Sequence, residues 1–242
     1  TMLEAMLQAS GMKVAAGGNL GPPALSLLGQ ENFSAYLLEI SSFQLETTES
    51  LRPLAATVLN VSADHLDRHE SLERYAALKG QLLSSSGTAI VNWDDPIVRR
   101  MGMTHPKPVP YSVCEPLDRG YSVSIESGER WLARDREPLL PVSSLMVGGV
   151  HNESNALAAL ALAEIVTADH EALLAALQRF RGLPHRCQWV GEWAGIAFIN
   201  DSKATNVGAT VAALKGLSGP LVLIAGGRAK GTDFAPLAEF AG

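Results

Sequence analysis

An acid, a base and hydrogen-bonding side chains follow an apolar run late in the sequence. Residues 198–206 read FINDSKATN, so Asp201 and Lys203 come directly after a predicted strand. In open α/β sheets, phosphates and small polar substrates bind where strands turn into helices. This stretch therefore predicts a binding corner, and similar polar clusters at other strand ends indicate an enzyme.

A second cluster follows the apolar run 36–38, where Glu39 precedes Ser41 and Gln44. A carboxylate at the carboxyl end of a central parallel strand is well placed to hold Mg²⁺ beside a nucleotide. The alternative is that Glu39 caps a helix.

A third cluster, DHLDR at residues 64–68, follows the apolar run 58–61. Carboxylates beside the His65 imidazole suit a divalent cation or a charge-tuned acid and base. A solvated loop explains the same residues without any ligand.

Lys79 lies on the apolar face of a predicted helix over 71–83. Leu72, Tyr75, Leu82 and Leu83 recur at helical spacing, and Lys79 comes four residues after Tyr75. Its ammonium group either reaches the rim of the core or is directed at a buried anion.

Three further clusters are weaker on their own. Residues 151–155 read HNESN before an Ala-rich helix, with Asn152 as the expected N-cap. His185 and Arg186 follow a break at residues 181–184. A Gly-rich loop, GGRAKG at 226–231, carries Lys230, which is either an anion ligand or an ordinary surface lysine.

The elements that must position these residues alternate between strands and helices. Apolar runs predict strands at 13–16, 35–40, 56–61, 88–92 and 221–224, and helical spacing predicts helices at 2–11, 71–83, 153–166 and 170–180. Near-continuous apolar strands between helices indicate an α/β fold with a mainly parallel sheet. Residues 109–147, by contrast, predict a small antiparallel hairpin region.

Composition excludes several classes of protein. The chain has 242 residues, 47% of them hydrophobic, and a net charge of −6 without a basic cluster, which argues against disorder and against nucleic-acid binding. No apolar run is long enough for membrane insertion, and a cytoplasmic location is expected. The cysteines, Cys114 and Cys187, lack metal or disulfide spacing and are expected to be buried.

Together, the motifs resemble those of the ATP-dependent Mur ligases, in the family's order over nearly the whole chain. The DSKATN string resembles the D-glutamate-adding members. The matching segments are GGNLG (17–21), LEISSFQLE (38–46), DHLDR (64–68), HNESN (151–155), GLPHR (182–186) and NDSKATN (200–206).

This resemblance implies an acid–amino-acid ligase of peptidoglycan precursor synthesis that uses ATP, Mg²⁺, UDP-N-acetylmuramoyl-L-alanine and D-glutamate. It implies that Glu39 and His65 hold Mg²⁺, with two ions expected, and that Lys79 is carbamylated. Lys79, His65 and Lys203 are then the expected catalytic residues. The expected substrate or nucleotide contacts are Asn19, Ser41, Asn152, Asn155, His185, Arg186, Asp201, Thr205 and Lys230.

The resemblance also implies a division into two domains. Residues 1–182 correspond to the central ATP-binding domain without its P-loop, and residues 183–242 to the first part of a Rossmann-like C-terminal domain. Polar residues of both are expected to share one pocket. Because the P-loop, the UDP-binding domain and the C-terminal remainder are missing, we expect these 242 residues alone to have little or no activity.

Two alternatives remain open. A ligase similar to folylpolyglutamate synthase would share the architecture and the ATP chemistry but add glutamate to folate. A non-catalytic nucleotide-binding or scaffold module would need neither Glu39 nor Lys79.

Overall fold

The computed structural model describes residues 1–29, 32–217, 219–227 and 233–240, without the side chain of Asp67. The chain forms two compact units. The first comprises residues 1–146 and 153–180, and the second comprises residues 147–152 and 181–242. The domain division at residues 182 and 183 stays a prediction.

A six-stranded sheet forms the centre of the first unit, with strands in the same order in space as along the chain. Strands β3 to β6 are parallel, and β6 to β8 are antiparallel. The fold class predicted from the apolar runs, mainly parallel with a small antiparallel region, is confirmed. The strands are β3 (Ala55–Val58), β4 (Thr88–Asn92), β5 (Pro108–Ser112), β6 (Tyr121–Glu126), β7 (Glu129–Arg134) and β8 (Glu137–Pro141).

The hairpin region begins later than predicted. Strand β5 lies within residues 109–147 for most of its length, yet it pairs in parallel with both β4 and β6. Pro108 and Pro110 argued against a central strand, because proline is rare there. The segment is nevertheless paired with a parallel strand on each side.

A separate parallel pair is formed by β1 (Val14–Gly18) and β2 (Ala35–Glu39). Their register pairs Val14 with Ala35 and Gly18 with Glu39, so both strands end at the same level. This alignment brings the residue that follows β1 next to the last residue of β2.

The helices of the first unit are α1 (Met2–Ala9), α2 (Ser42–Leu45), α3 (Leu66–His69), α4 (Leu72–Ser84), α5 (Pro96–Gly102), α6 (Val150–Ala163), whose first residues belong to the second unit, and α7 (His170–Arg179). The four helices predicted from apolar spacing are present as α1, α4, α6 and α7, whereas α2, α3 and α5 were not predicted. The start predicted for α6 was wrong, because the helix begins at Val150 and Asn152 is in its first turn. Instead of capping the helix, Asn152 donates from Nδ2 to the Gly148 carbonyl at 2.7 Å.

Two apolar clusters form the core of the first unit, and β4 contributes to both. Ile90 belongs to one cluster and Val91 to the other, and both side chains are fully buried. Since successive strand residues point to opposite faces, the sheet is covered on both sides at this strand.

The second unit contains an antiparallel hairpin, β9 (Gln188–Trp193) and β10 (Ile196–Asn200), and the helix α8 (Val207–Gly216). The strand predicted at 221–224 was wrong: Val222 and Ile224 are each 92% exposed and no strand forms there. A strand needs a hydrogen-bonding neighbour, and within the described residues this apolar run has none. The Rossmann-like character of this unit stays a prediction.

The cysteines are free thiols, but the expectation that both are buried was wrong. Cys114 is exposed and Cys187 is half-buried. None of the helices in the described part of the chain combines the length and apolar composition that a membrane crossing requires.

Candidate active site

Asn19 and Glu39 meet where β1 and β2 end. The Asn19 side-chain Nδ2 donates to Glu39 Oε1 at 2.9 Å, and its backbone N–H donates to the Glu39 carbonyl at 2.7 Å. The two residues are far apart in sequence, and the parallel register of the strands brings them together. The carboxylate is exposed and oriented by the amide, as a ligand for a cation at a strand edge would be.

Ser41, rather than Glu39, caps the short helix α2. The Gln44 N–H donates to Ser41 Oγ at 3.3 Å, and the Ser41 N–H donates to Gln44 Oε1 at 2.8 Å. This reciprocal capping box satisfies the helix start. The capping explanation of Glu39 is therefore wrong, and its carboxylate accepts the Asn19 side-chain hydrogen bond instead.

His65 lies on a loop that is fixed by the neighbouring strand. Asn92 Nδ2 donates to the Leu59 carbonyl at 2.7 Å, and Asp95 Oδ2 accepts the Val61 N–H at 2.9 Å. His65 itself adopts the left-handed backbone conformation, with φ of 52°, directly before α3. Its exposed imidazole lies 3.7 Å from the Asp64 carboxylate and 5.0 Å from the Phe43 ring.

Lys79 is half-buried on α4, as the helical spacing indicated. Its Nζ lies 4.9 Å from the centre of the Tyr75 ring, a cation–π distance. Among the described residues it forms no salt bridge.

His69 is a residue that the motif search missed. It is 1% exposed and lies between the segment that carries Glu39 and Ser41 and the helix that carries Lys79. Its spacing of four residues from His65 was visible in the sequence, but only the fold shows that His65 is exposed while His69 is buried.

A surface groove next to these residues does not include them. It has a volume of about 410 Å³ and is lined by Glu46, Arg68, Glu70, Arg74 and Leu78. Two ion pairs occupy its walls, Arg68 with Glu46 and Arg74 with Glu70. The candidate site residues therefore lie at the strand edge and not in this groove.

In the second unit, the loop at His185 and the corner after β10 are joined by hydrogen bonds. The Lys203 N–H donates to the His185 carbonyl at 3.1 Å, and Asp201 Oδ1 accepts the Cys187 N–H at 2.9 Å. Asn200 Nδ2 lies 2.9 Å from His185 Nδ1. Asp201 therefore has a structural task here, which the sequence did not reveal.

The remaining predicted residues are partly or fully accessible. The Arg186, Lys203 and Thr205 side chains are exposed, Asn152 and Asn155 are half-buried in α6, and Lys230 lies outside the described residues. Next to this corner, burial lowers the pKa of His151, although Asp201 opposes that shift. Burial likewise raises the pKa of the Cys187 thiol, and Asp201 adds to the rise.

Polar residues follow the carboxyl ends of parallel strands in this α/β protein, which is the position at which nucleotide-dependent enzymes with open sheets bind their ligands. The chain belongs to the Mur ligase family, since the Mur ligase middle domain matches residues 1–163.

Named relatives are similar to nearly all of the chain. It is 48% identical over 99% of its length to the UDP-N-acetylmuramoylalanine–D-glutamate ligase of Nitrosococcus oceani, covering 53% of that protein. It is 47% identical over 98% of its length to the ligase of the same name from Hahella chejuensis, covering 54% of it. The chain thus spans about half the length of the curated relatives it matches.

A solved structure supports the fold. The pseudomurein peptide ligase type C from Methanothermus fervidus superposes with a TM-score of 0.65 at 21% identity, over 89% of this chain and 52% of that one. At this level of identity the likeness concerns the fold alone.

Proposed function

We propose that the protein carrying this chain joins D-glutamate to UDP-N-acetylmuramoyl-L-alanine, using ATP, in peptidoglycan precursor synthesis. The observation that carries the proposal is the 48% identity over 99% of the chain to a relative named for that reaction. The DSKATN string, which resembles the D-glutamate-adding members, supports the same substrate. Since such a reaction consumes ATP and a nucleotide-linked precursor, we infer a cytoplasmic location.

The reaction brings together three anions: ATP, UDP-N-acetylmuramoyl-L-alanine and D-glutamate. The muramoyl-alanine carboxylate attacks the γ-phosphorus of ATP and displaces ADP, which gives an acyl phosphate. The amine of D-glutamate then attacks the acyl carbon, loses a proton, and the tetrahedral intermediate expels phosphate. The difficulty is mutual repulsion, so a catalyst must place positive charge and hydrogen-bond donors where negative charge accumulates.

The residues at the strand edge fit Mg²⁺. Glu39 offers a carboxylate that Asn19 holds in place, and in the described part of the chain no three His, Cys, Asp or Glu side chains cluster as a complete cage would require. Mg²⁺ is typically held by one or two carboxylates while phosphates and water complete its shell. When bound, Mg²⁺ would neutralise phosphate charge and polarise the transferred group.

The side chains of the first unit have different proposed roles. Glu39 and His65 are the proposed metal ligands, and Asn19 fixes the Glu39 carboxylate and lies where phosphates would approach. We propose that the Lys79 amine, after losing one proton, adds to CO₂ and loses a second proton to form a carbamate, an anion that would help to hold a metal, with Ser41 as its support.

The remaining proposed contacts lie on the loop at His185, on the corner after β10, on α6 and at Lys230. We propose that Arg186, Asp201 and Lys203 contact the ribose and phosphates, that Thr205 and Lys230 contact D-glutamate, and that Asn152 and Asn155 lie on the adenine side. His185 would support this corner through its hydrogen bonds to Asn200 and Lys203.

A substrate panel tests the proposal. The full-length protein carrying this chain should release phosphate and form the glutamyl product with ATP, UDP-N-acetylmuramoyl-L-alanine and D-glutamate. L-Glutamate, and a folate with L-glutamate, serve as comparison substrates. Preferential turnover of the folate would favour the folylpolyglutamate alternative, and no turnover of any substrate would favour a non-catalytic module.

A further inference from the structure

The imidazole of His69 is the most deeply buried ionisable group near the candidate site. It is 1% exposed and ends the four-residue helix α3. Its backbone N–H donates to the His65 carbonyl at 3.0 Å, so it lies one helical turn from the proposed metal ligand. A buried polar side chain needs partners, and those of His69 come from another helix.

Both ring nitrogens of His69 face α2 and the residue that follows it. Nε2 lies 3.0 Å from Oγ of the buried Ser42, and Nδ1 lies 3.3 Å from Oε1 of Glu46, outside hydrogen-bond geometry. The other Glu46 oxygen accepts a hydrogen bond from Arg68 at 2.7 Å. Thus His69 joins α3 to the segment that begins with Glu39 and Ser41.

Aromatic contacts of the His69 ring link it to His65 and to Lys79. Phe43 lies 5.4 Å from His69 and 5.0 Å from His65, measured between ring centres. Tyr75 lies 5.2 Å from His69, and the Lys79 Nζ lies over the Tyr75 ring. One side chain separates His69 from His65, and one separates it from Lys79.

The backbone on either side of α3 is strained, which shows why this helix needs an anchor. His65 and Glu70 both adopt positive φ values, 52° and 68°, although neither is glycine. Such conformations persist when surrounding contacts over-determine them. Between these two residues, the buried contacts of His69 to Ser42, Phe43 and Tyr75 supply that constraint.

We propose that His69 is a positioning residue that holds Glu39, His65 and Lys79 in one arrangement through its contacts with Ser42, Phe43 and Tyr75. The inference rests on the proposed function, since Glu39 and His65 are its proposed metal ligands and Lys79 is its proposed carbamylated lysine. Removing a residue that orients a metal ligand typically lowers metal affinity or activity about 10–100-fold.

Two substitutions separate the polar contacts from the ring packing. His69→Phe keeps the stacking against Phe43 and Tyr75 but removes both nitrogens. His69→Gln restores an amide close to the Nε2 position and to Ser42. His105→Phe is the matched control, because His105 is also buried, with Nε2 3.0 Å from the Ser86 carbonyl and Nδ1 accepting the Lys107 N–H at 3.0 Å.

Each variant of the full-length protein is measured in two ways. One is the steady-state rate of phosphate release as a function of Mg²⁺ concentration. The other is the rise in unfolding temperature caused by Mg²⁺ with a non-hydrolysable ATP analogue, which reports ligand binding without turnover.

For His69→Phe we expect kcat/KM to fall about 10–100-fold, half-saturating Mg²⁺ to rise, and the Mg²⁺-induced temperature shift to shrink. His69→Gln should recover most of each effect, and His105→Phe should lower stability without changing the Mg²⁺ dependence. If His69→Phe matches His105→Phe in both measurements, His69 is merely structural and the proposal is wrong.

The two readouts also separate this proposal from the proposed function. If the parent protein does not ligate D-glutamate but binds Mg²⁺ and the analogue in a His69-dependent way, only the proposed reaction fails. If the parent shows no Mg²⁺-dependent shift, both fail.

Discussion

Gly18 allows the backbones of β1 and β2 to meet where Asn19 and Glu39 pair. Its φ is +106°, and a Cβ at this position would lie 2.3 Å from the Glu39 carbonyl oxygen. A side chain here would therefore both strain the backbone and separate the two strands. The geometry of the proposed metal ligand depends on the absence of that side chain.

We predict that Gly18→Ala lowers the free energy of unfolding by about 3 kcal/mol, which combines the positive-φ penalty with overpacking. The control is Gly128→Ala in the hairpin turn, where φ is +85° but no atom lies within 4 Å of the added Cβ. That variant should lose only about 1–2 kcal/mol. Urea unfolding compares them, and equal losses would contradict the close approach at Gly18.

His151 gives the second unit a pH dependence whose sign is fixed by burial. Since burial lowers the pKa of His151, with Asp201 opposing, the unfolded chain takes up a proton at a higher pH than the folded one. Stability is therefore fully present above the ordinary histidine pKa of about 6.5 and declines as the pH falls through and below that value.

We predict that His151→Gln reduces this loss between pH 8 and pH 5.5. Urea unfolding of parent and variant at both pH values measures the difference, in which the other histidines cancel. If the variant lost as much stability as the parent on acidification, or more, folding would not lower the pKa of His151.

At the scale of elements, a partly buried carboxylate joins the end of α6 to the antiparallel strands. Glu164, which follows α6, accepts hydrogen bonds from the Tyr121 hydroxyl at 2.6 Å and from Arg134 at 2.5 Å, and it lies 3.2 Å from His170. Burial raises the pKa of the Tyr121 phenol, and the carboxylate next to it adds to the rise. Strands β6 and β7 are thereby fixed to two helices.

We predict that Glu164→Ala lowers the free energy of unfolding by about 3 kcal/mol, because it leaves Arg134 and Tyr121 without their partner. Glu70→Ala provides the control, since its ion pair with Arg74 at 2.8 Å is exposed and should contribute about 0.5 kcal/mol or less. Comparable losses in denaturant unfolding would rule out the proposed link.

Local sequence was sufficient to predict most strands and helices, but it failed where strand formation depends on a pairing partner elsewhere in the chain. The apolar runs at β2 and β4 and the spacing of α4 located those elements, because burial there follows the strand and helix periods. The run at 221–224, LVLI, is entirely apolar, yet it forms no strand without a pairing neighbour among the described residues.

At the scale of the whole molecule, sequence motifs indicated which residues to examine but not how they are linked. The pairing of Asn19 with Glu39 depends on strand register, and the role of His69 depends on burial, and neither is visible in residue type. Asp201 was predicted only as a ligand-binding residue, and its hydrogen bond with the Cys187 backbone N–H was not predicted. That residues of both units act in one site stays a prediction.

The central claim is that Lys79 and its neighbours supply the charges that a D-glutamate ligase needs. The most direct measurement is the rate at which D-glutamate is joined to UDP-N-acetylmuramoyl-L-alanine by Lys79→Ala in the full-length protein. Lys13→Ala is the matched control, since Lys13 also lies over an aromatic ring, at 5.8 Å from the centre of Phe33. We predict a loss of at least about 100-fold for Lys79→Ala and little change for the control; an undiminished rate in Lys79→Ala would contradict the account.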